Sequence, residues 1–265
     1  MNDDKFALSA LDMAAHDWRG KRLGIRTWQD WGLEWHNVPD SSYTIGIDSI
    51  DRMVAKLNEQ PGWSIYKNKL GTPNDLEIMP ELRRHTNAIY RVDANCGWSV
   101  EQTISNSKAL ADLGVEFIEQ PLPHNATAAD QRKVFEDSAL PLSADEDCQI
   151  AADVAKCDEL FHGVSVKICK YGELSPALSM LREARERGLK TMVGCMVESS
   201  VGISGAAQLL PLLDYADLDG AVLLKDEPSP GVSVVRGQVR VAAEFGTGAA
   251  LNPERLAVFA GGANT

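Results

Sequence analysis

Three carboxylates recur at 26-residue intervals: Asp93 in Ile-Tyr-Arg-Val-Asp-Ala-Asn, Glu119 in Phe-Ile-Glu-Gln-Pro and Asp145 in Leu-Ser-Ala-Asp-Glu. Each closes a short apolar, β-branched run and precedes a helix-like stretch, so each reads as the last residue of a strand in one βα unit. Three such units in succession predict a parallel barrel or a doubly wound sheet, with the acids gathered at the carboxyl edge where these folds keep their chemistry. The interval continues on both sides with lysines. Lys69 lies 24 residues before Asp93, and Lys167 lies 22 residues after Asp145.

Length agrees with that reading: the chain has 265 residues, and an α/β barrel takes about 250. No apolar run reaches the roughly 18 residues of a membrane span. The opening Met-Asn-Asp-Asp-Lys lacks the apolar segment of a secretory signal, so a cytoplasmic protein is expected. Net charge is −12 and no basic stripe appears, which argues against nucleic acid and anionic membranes as partners. The five cysteines are odd in number and never spaced Cys-x-x-Cys, so neither a zinc knuckle nor a disulfide framework is indicated.

Eight strands can be counted, at Tyr43–Ile47, Ser64–Leu70, Ala88–Asp93, Val115–Glu119, Leu140–Asp145, Gly163–Ile168, Lys190–Gly194 and Leu218–Leu223. An amphipathic helix is expected over Phe6–Arg22 and a tryptophan-rich loop over Thr27–Asp40. Pro73 is read as the first-turn residue of the helix after strand two, and Ser99 with Gln102 as a capping box. No helix pattern follows strand eight. Instead Gly231–Ala243 reads as a hairpin turning at Arg236-Gly237.

Period-two alternation puts Lys67 and Lys69 on one face of strand two, where like-charge proximity would lower the proton affinity of one and make it a usable base. Lys167 points inward from strand six, and in a barrel strands two and six stand opposite one another. Three carboxylates from adjacent strands form a hard oxygen cage suited to Mg²⁺, with Mn²⁺ as the alternative. A cation there would stabilise the dianion formed when a proton leaves the carbon beside a carboxylate. One lysine would remove that proton and the opposed lysine would return it to the other face.

These residues resemble the enolase superfamily in its muconate-lactonising subgroup, through Lys67-Asn-Lys69, Asp93-Ala-Asn95, Glu119-Gln-Pro121, Asp145-Glu146 and Lys167 in Val-Lys-Ile-Cys-Lys. The resemblance implies an α/β modified TIM barrel of (β/α)7β type, Mg²⁺ at Asp93, Glu119 and Asp145, and Lys67, Lys69 and Lys167 as catalytic lysines. Gly194-Cys-Met-Val-Glu-Ser199 and Asp217-Leu-Asp219 look most like the dipeptide epimerases, in which an Asp-x-Asp pair holds the substrate ammonium. That implies a dipeptide as partner and epimerisation of its carboxy-terminal residue through an enediolate. An N-acyl amino acid racemase or an o-succinylbenzoate synthase-like enzyme is the alternative, since neither needs Asp217 and Asp219. Glu146 and Glu198 are read as lying outside the direct contacts.

The expected organisation is a linker helix and loop over residues 1–42, the (β/α)7β barrel over 43–225, and a C-terminal segment over 226–265 that packs on a capping domain. The resemblance also implies that an α+β capping domain of over a hundred residues precedes the barrel, whereas this chain begins near the helix that follows it. A lidless barrel is therefore expected to catalyse poorly, and to form a homo-oligomer or aggregate through apolar surface near Trp28, Trp31, Trp35 and the segment after Gly231.

Overall fold

The computed structural model describes residues 4–227 and 229–261. In chain order the elements are α1 (Lys5–Leu23), α2 (Thr27–Asp30), β1 (Tyr43–Ile45), α3 (Ile50–Glu59), β2 (Ile65–Lys69), α4 (Asp75–Arg83), β3 (Ile89–Asp93), α5 (Val100–Asp112), β4 (Val115–Glu119), α6 (Ala128–Asp137) and β5 (Leu142–Ala144). There follow α7 (Ala151–Cys157), β6 (Gly163–Lys167), α8 (Ile168–Tyr171), α9 (Leu174–Glu186), β7 (Lys190–Gly194), α10 (Ser200–Ala207), β8 (Tyr215–Asp217), the hairpin β9 (Ser233–Val235) and β10 (Gln238–Arg240), and α11 (Pro253–Gly261). The sheet takes β1 to β8 in chain order.

The chain divides into two compact units, one made of Ser42–Val166 and Arg182–Met192 and the other of the remaining residues. In the first, β1 to β6 pair in parallel, and the register sets Lys69 beside Asp93, Asp93 beside Glu119, and Glu119 beside Ser143. A register shift places one extra residue in β4 between Val115 and Ile118, as a bulge does, and after it Asp93 and Glu119 come level. Outside the strands, α3 buries Met53 and Leu57, α4 buries Ile78, Met79 and Leu82, and α5 buries Leu110. The spacings of three and four lay these on one helical stripe, and each such side chain contributes about 1.5–3 kcal/mol.

Two loops at the carboxyl ends of β2 and β3 meet at bare backbone. A Cβ on Gly97 would fall 2.7 Å from Gly71 Cα, and one on Gly71 would fall 2.6 Å from the Ala94 carbonyl oxygen. Gly71 also has φ +107°. The buried carboxylate of Asp75 seals the junction by accepting from Gly71 N–H (3.0 Å), Thr72 N–H (3.0 Å), Thr72 Oγ1 (2.7 Å) and Trp98 Nε1 (2.7 Å).

In the other unit α1 is docked, because Asp12 accepts from the N–H groups of Leu174 and Ser175 at the start of α9 and Asp17 accepts from Thr247 N–H and Oγ1. A Cβ on Gly20 would lie 2.6 Å from Gly246 Cα. The hairpin turns at Arg236 (φ +51°) and Gly237 (φ +92°), as the sequence predicts.

Several expectations need correction. Strand eight is Tyr215–Asp217, and Gly220–Leu223 forms a 3₁₀ turn instead of a strand. Pro73 precedes α4, whose cap is Asn74, because Asp75 ties the Gly71-Thr72 backbone into a turn first. α8 and α11 were not foreseen from periodicity, and Trp28 belongs to the short α2. Trp28, Trp31 and Trp35 are half-buried, with Trp28 against Trp35 and Trp31 edge-on to His16. Among the described residues the exposed large apolar side chains include Val235, Phe245 and Leu251 in the segment after Gly231, as expected, and also Phe6, Trp18 and Val197.

Gly97→Ala should lower stability by about 1–3 kcal/mol, the cost of forcing a methyl into packed atoms. Urea unfolding would read this as a shifted midpoint at constant slope, and an unchanged midpoint would show that the two loops separate without cost.

Candidate active site

The site in the first unit follows from the register. Because Lys69, Asp93 and Glu119 are lateral neighbours at the ends of β2, β3 and β4, their side chains leave the sheet on one edge and one face. Asp145 follows directly on β5. One oxygen from each of Asp93, Glu119 and Asp145 lies within 4.8 Å of the others, and all three residues are buried. Oxygens around one Mg²⁺ at about 2.0–2.1 Å stand roughly 3–4 Å apart, so the donor set suits a hard divalent cation.

The lysines expected beside the cage are there. Lys67 Nζ lies 2.6 Å from Glu119 Oε2 and 3.3 Å from Asp93 Oδ2, and Lys69 Nζ lies 2.5 Å from that same Asp93 oxygen. The two ammonium groups therefore share a carboxylate, which offsets the repulsion that the sequence alone suggests. They also differ in access: the Lys67 side chain is 1% exposed and that of Lys69 25%, so Lys69 is the one that a solute can reach. Lys67 works as a buried counter-charge, and deleting one partner of such a buried pair costs about 3–5 kcal/mol.

Backbone at the strand ends is bent into the left-handed region at Asn95 (φ +45°), Cys96 (φ +62°) and Gln120 (φ +37°). For non-glycine residues this costs about 1–3 kcal/mol each and is found where a site over-determines the conformation. Asn95 N–H donates to Asp93 Oδ1 at 3.0 Å, which orients that carboxylate. Gln120 is fully buried and its side chain reaches the Asp145 backbone. The sequence shows Glu-Gln-Pro as a motif but carries no signal for this contact, since its partners are 25 and 27 residues away.

The other unit holds Lys167, Asp217 and Asp219, at 4%, 4% and 2% exposure. Lys167 closes β6 and Asp217 closes β8. Asp219 begins the 3₁₀ turn with φ −81° and ψ 0°, so strand alternation does not account for its direction. Burial pushes the half-buried Cys195 thiol well up, and Asp217, Asp219 and Glu198 around it push it further. Gly220 N–H donates to Cys195 Sγ at 3.3 Å, and a Cβ on Gly220 would meet the Met196 carbonyl oxygen at 2.1 Å.

Glu198 is the third carboxylate around Cys195. It lines an apolar cavity of about 400 Å³ with Met13, Cys169, Met196, Val201 and Leu251. Burial raises its pKa, against the pull of Met196 N–H and the Cys169 thiol.

Comparison with known proteins agrees with this geometry. The enolase C-terminal domain-like family matches residues 50–255. The L-Ala-D/L-amino acid epimerase of Flavobacterium johnsoniae is 51% identical over 251 residues, 95% of this chain and 74% of that protein. The crystal structure of the dipeptide epimerase from Cytophaga hutchinsonii, complexed with Mg and the dipeptide D-Ala-L-Val, superposes with a TM-score of 0.89 at 25% identity, covering 96% of this chain and 73% of that one. A muconate cycloisomerase variant gives a TM-score of 0.87 at 26% identity over 97% of this chain and 75% of its own. The chain belongs to the enolase C-terminal domain-like family, with its modified TIM-barrel fold. Like its half-identical relative, it is an isomerase acting on amino-acid derivatives. Among the described residues no helix is long and apolar enough to cross a membrane.

The raised pKa of Glu198 has a stability consequence. Above the ordinary glutamate value of 4.5 the native state holds a proton that the unfolded chain has released, so stability falls as pH rises through that window. Glu198→Gln has no such proton to lose. Urea denaturation from pH 4.5 upward should therefore show wild type losing stability relative to the variant, and parallel curves would mean that Glu198 is solvated.

Proposed function

We propose that this chain epimerises the carboxy-terminal residue of a dipeptide by two-base 1,1-proton transfer. Lys69 and Lys167 exchange the α-proton, Lys67 holds the acids in place, and Asp217 with Asp219 take the substrate ammonium. The observation that carries this reading is the convergence of Asp93, Glu119 and Asp145 beside Lys67 and Lys69. Three buried acids would be Mg²⁺ ligands, and the ion when bound supplies Lewis-acid charge for the negative charge that grows on the substrate carboxylate.

The chain's own residues do the rest. Lys69, partly open to solvent at the end of β2, can meet an α-carbon, whereas Lys67 cannot leave its pair of carboxylates without leaving them uncompensated. Lys167 at the end of β6 is the second base, because inversion needs a proton delivered to the face opposite the one that lost it. Removal or return by a positioned side chain contributes about 10²–10⁴-fold in rate. Two buried carboxylates at the end of β8 favour a free ammonium over an acylated nitrogen, since charge-assisted hydrogen bonds to both oxygens reward the cation. That favours the dipeptide reading over N-acyl racemisation and o-succinylbenzoate synthesis.

The test is proton exchange in D₂O followed by NMR, with L,L and L,D dipeptides supplied separately. Wild type should exchange and interconvert both. Lys69→Arg and Lys167→Arg should each abolish interconversion, falling by about 10²-fold or more, while each retains exchange from one diastereomer only. Exchange confined to N-acylated substrates would overturn the dipeptide assignment, and full turnover by either variant would overturn the two-base assignment. By calorimetry, Asp145→Asn should weaken Mg²⁺ binding by at least about tenfold, as expected when a charged ligand is lost.

A further inference from the structure

We infer that Gln120 is a positioning residue that extends the β4–β5 ladder by one rung through its side chain and so locks Asp145 to Glu119. The inference rests on the reading of the three acids as a cation cage. β5 is only three residues long, and its register with β4 stops at Glu119 beside Ser143. The last backbone bond in that direction runs from Gln120 N–H to the Ser143 carbonyl at 2.8 Å. Asp145 therefore lies beyond the point where the ladder fixes it.

Gln120 supplies the missing bond. Its Oε1 accepts from Asp145 N–H at 3.0 Å and from Asp147 N–H at 3.2 Å, while its Nε2 donates to the Leu122 carbonyl at 3.1 Å and to Asp147 Oδ2 at 2.8 Å. An amide offers two donor hydrogens and an acceptor oxygen with two lone pairs, and all four are used. The residue's own carbonyl accepts from Cys96 N–H at 2.8 Å, which ties in the turn after Asp93. One buried residue thus touches backbone beyond all three acid-bearing strands. Its backbone is left-handed, with φ of +37°, immediately before Pro121.

Outer-sphere hydrogen bonds of this kind typically carry 10–100-fold in metal affinity. Gln120→Met fills a similar volume and removes all four side-chain bonds. Titrated with Mg²⁺ by calorimetry, the full chain carrying Gln120→Met should show a dissociation constant raised about 10–100-fold with its far-UV spectrum retained. Gln131→Met is the control: Gln131 is also buried, bonds the Leu160 carbonyl at 3.1 Å from α6, and makes no contact with the acids. It should leave Mg²⁺ affinity within about twofold of wild type, since it carries no outer-sphere bond to the cage. Gln120→Glu keeps the acceptor for Asp145 and should bind Mg²⁺ more tightly than Gln120→Met, which also serves if the methionine variant fails to fold and binds nothing. Wild-type affinity in Gln120→Met, equal loss in Gln131→Met, or no recovery in Gln120→Glu would each overturn the positioning role while leaving the cage intact. A wild-type chain that takes up no Mg²⁺ would overturn the cage reading and this inference with it.

Discussion

Three carboxylates buried at one sheet edge repel one another, and the native state stands only if that charge is compensated where it lies. Lys67 is the compensation built into the fold, at 2.6 Å from Glu119 and 3.3 Å from Asp93 with almost no exposure. Moving such charges out of water costs several kcal/mol each after relaxation. A merely stable protein would have filled the space with apolar side chains. Keeping acids there is therefore the mark of a site, and the neighbouring architecture reads as the means of holding them: in-register strand ends, a bulge in β4, and the glycine contact that lets the loops after β2 and β3 close.

Much of this was legible in the sequence because it depends on period and order. An interval of 26 residues between acids is the length of one βα unit, and strand ends are where period two gives way to a turn, so Asp93, Glu119, Asp145, Lys69 and Lys167 could be placed without coordinates. Even the limits of β4 and β7 agree with the sequence reading. What escaped depends on tertiary hydrogen bonds. Asp75 looks like an ordinary first-turn acid, yet it holds four donors from two loops. Glu198 is read near the site from its motif, but the apolar cavity that it lines is not legible in the sequence. Strand eight was displaced because Leu218–Leu223 is as apolar as a strand, while the sheet takes Tyr215–Asp217 instead, with Leu218 N–H donating to Ser41 Oγ.

The shorter strand alters how Asp217 and Asp219 are placed. In a strand, alternation alone would aim both carboxylates the same way. In the structure the strand stops at Asp217 and the chain turns at Asp219, so the two acids are brought near one thiol by the turn, with Gly220 tight against the Met196 carbonyl. Glycine is required there because any side chain would strike backbone.

Asp93 is where compensation and reactivity meet. Its Oδ2 is shared by Lys67 and Lys69, while its Oδ1 is held by Asn95 N–H. A cation held by the three acids would compete with both lysines for that shared oxygen. Lys67 also holds Glu119 Oε2 at 2.6 Å, so it keeps an anchor in the buried cluster whichever way Asp93 turns. Lys69, the more exposed of the two, meets the cluster through the shared oxygen, and its place at the strand end depends on how that one carboxylate is divided between its neighbours.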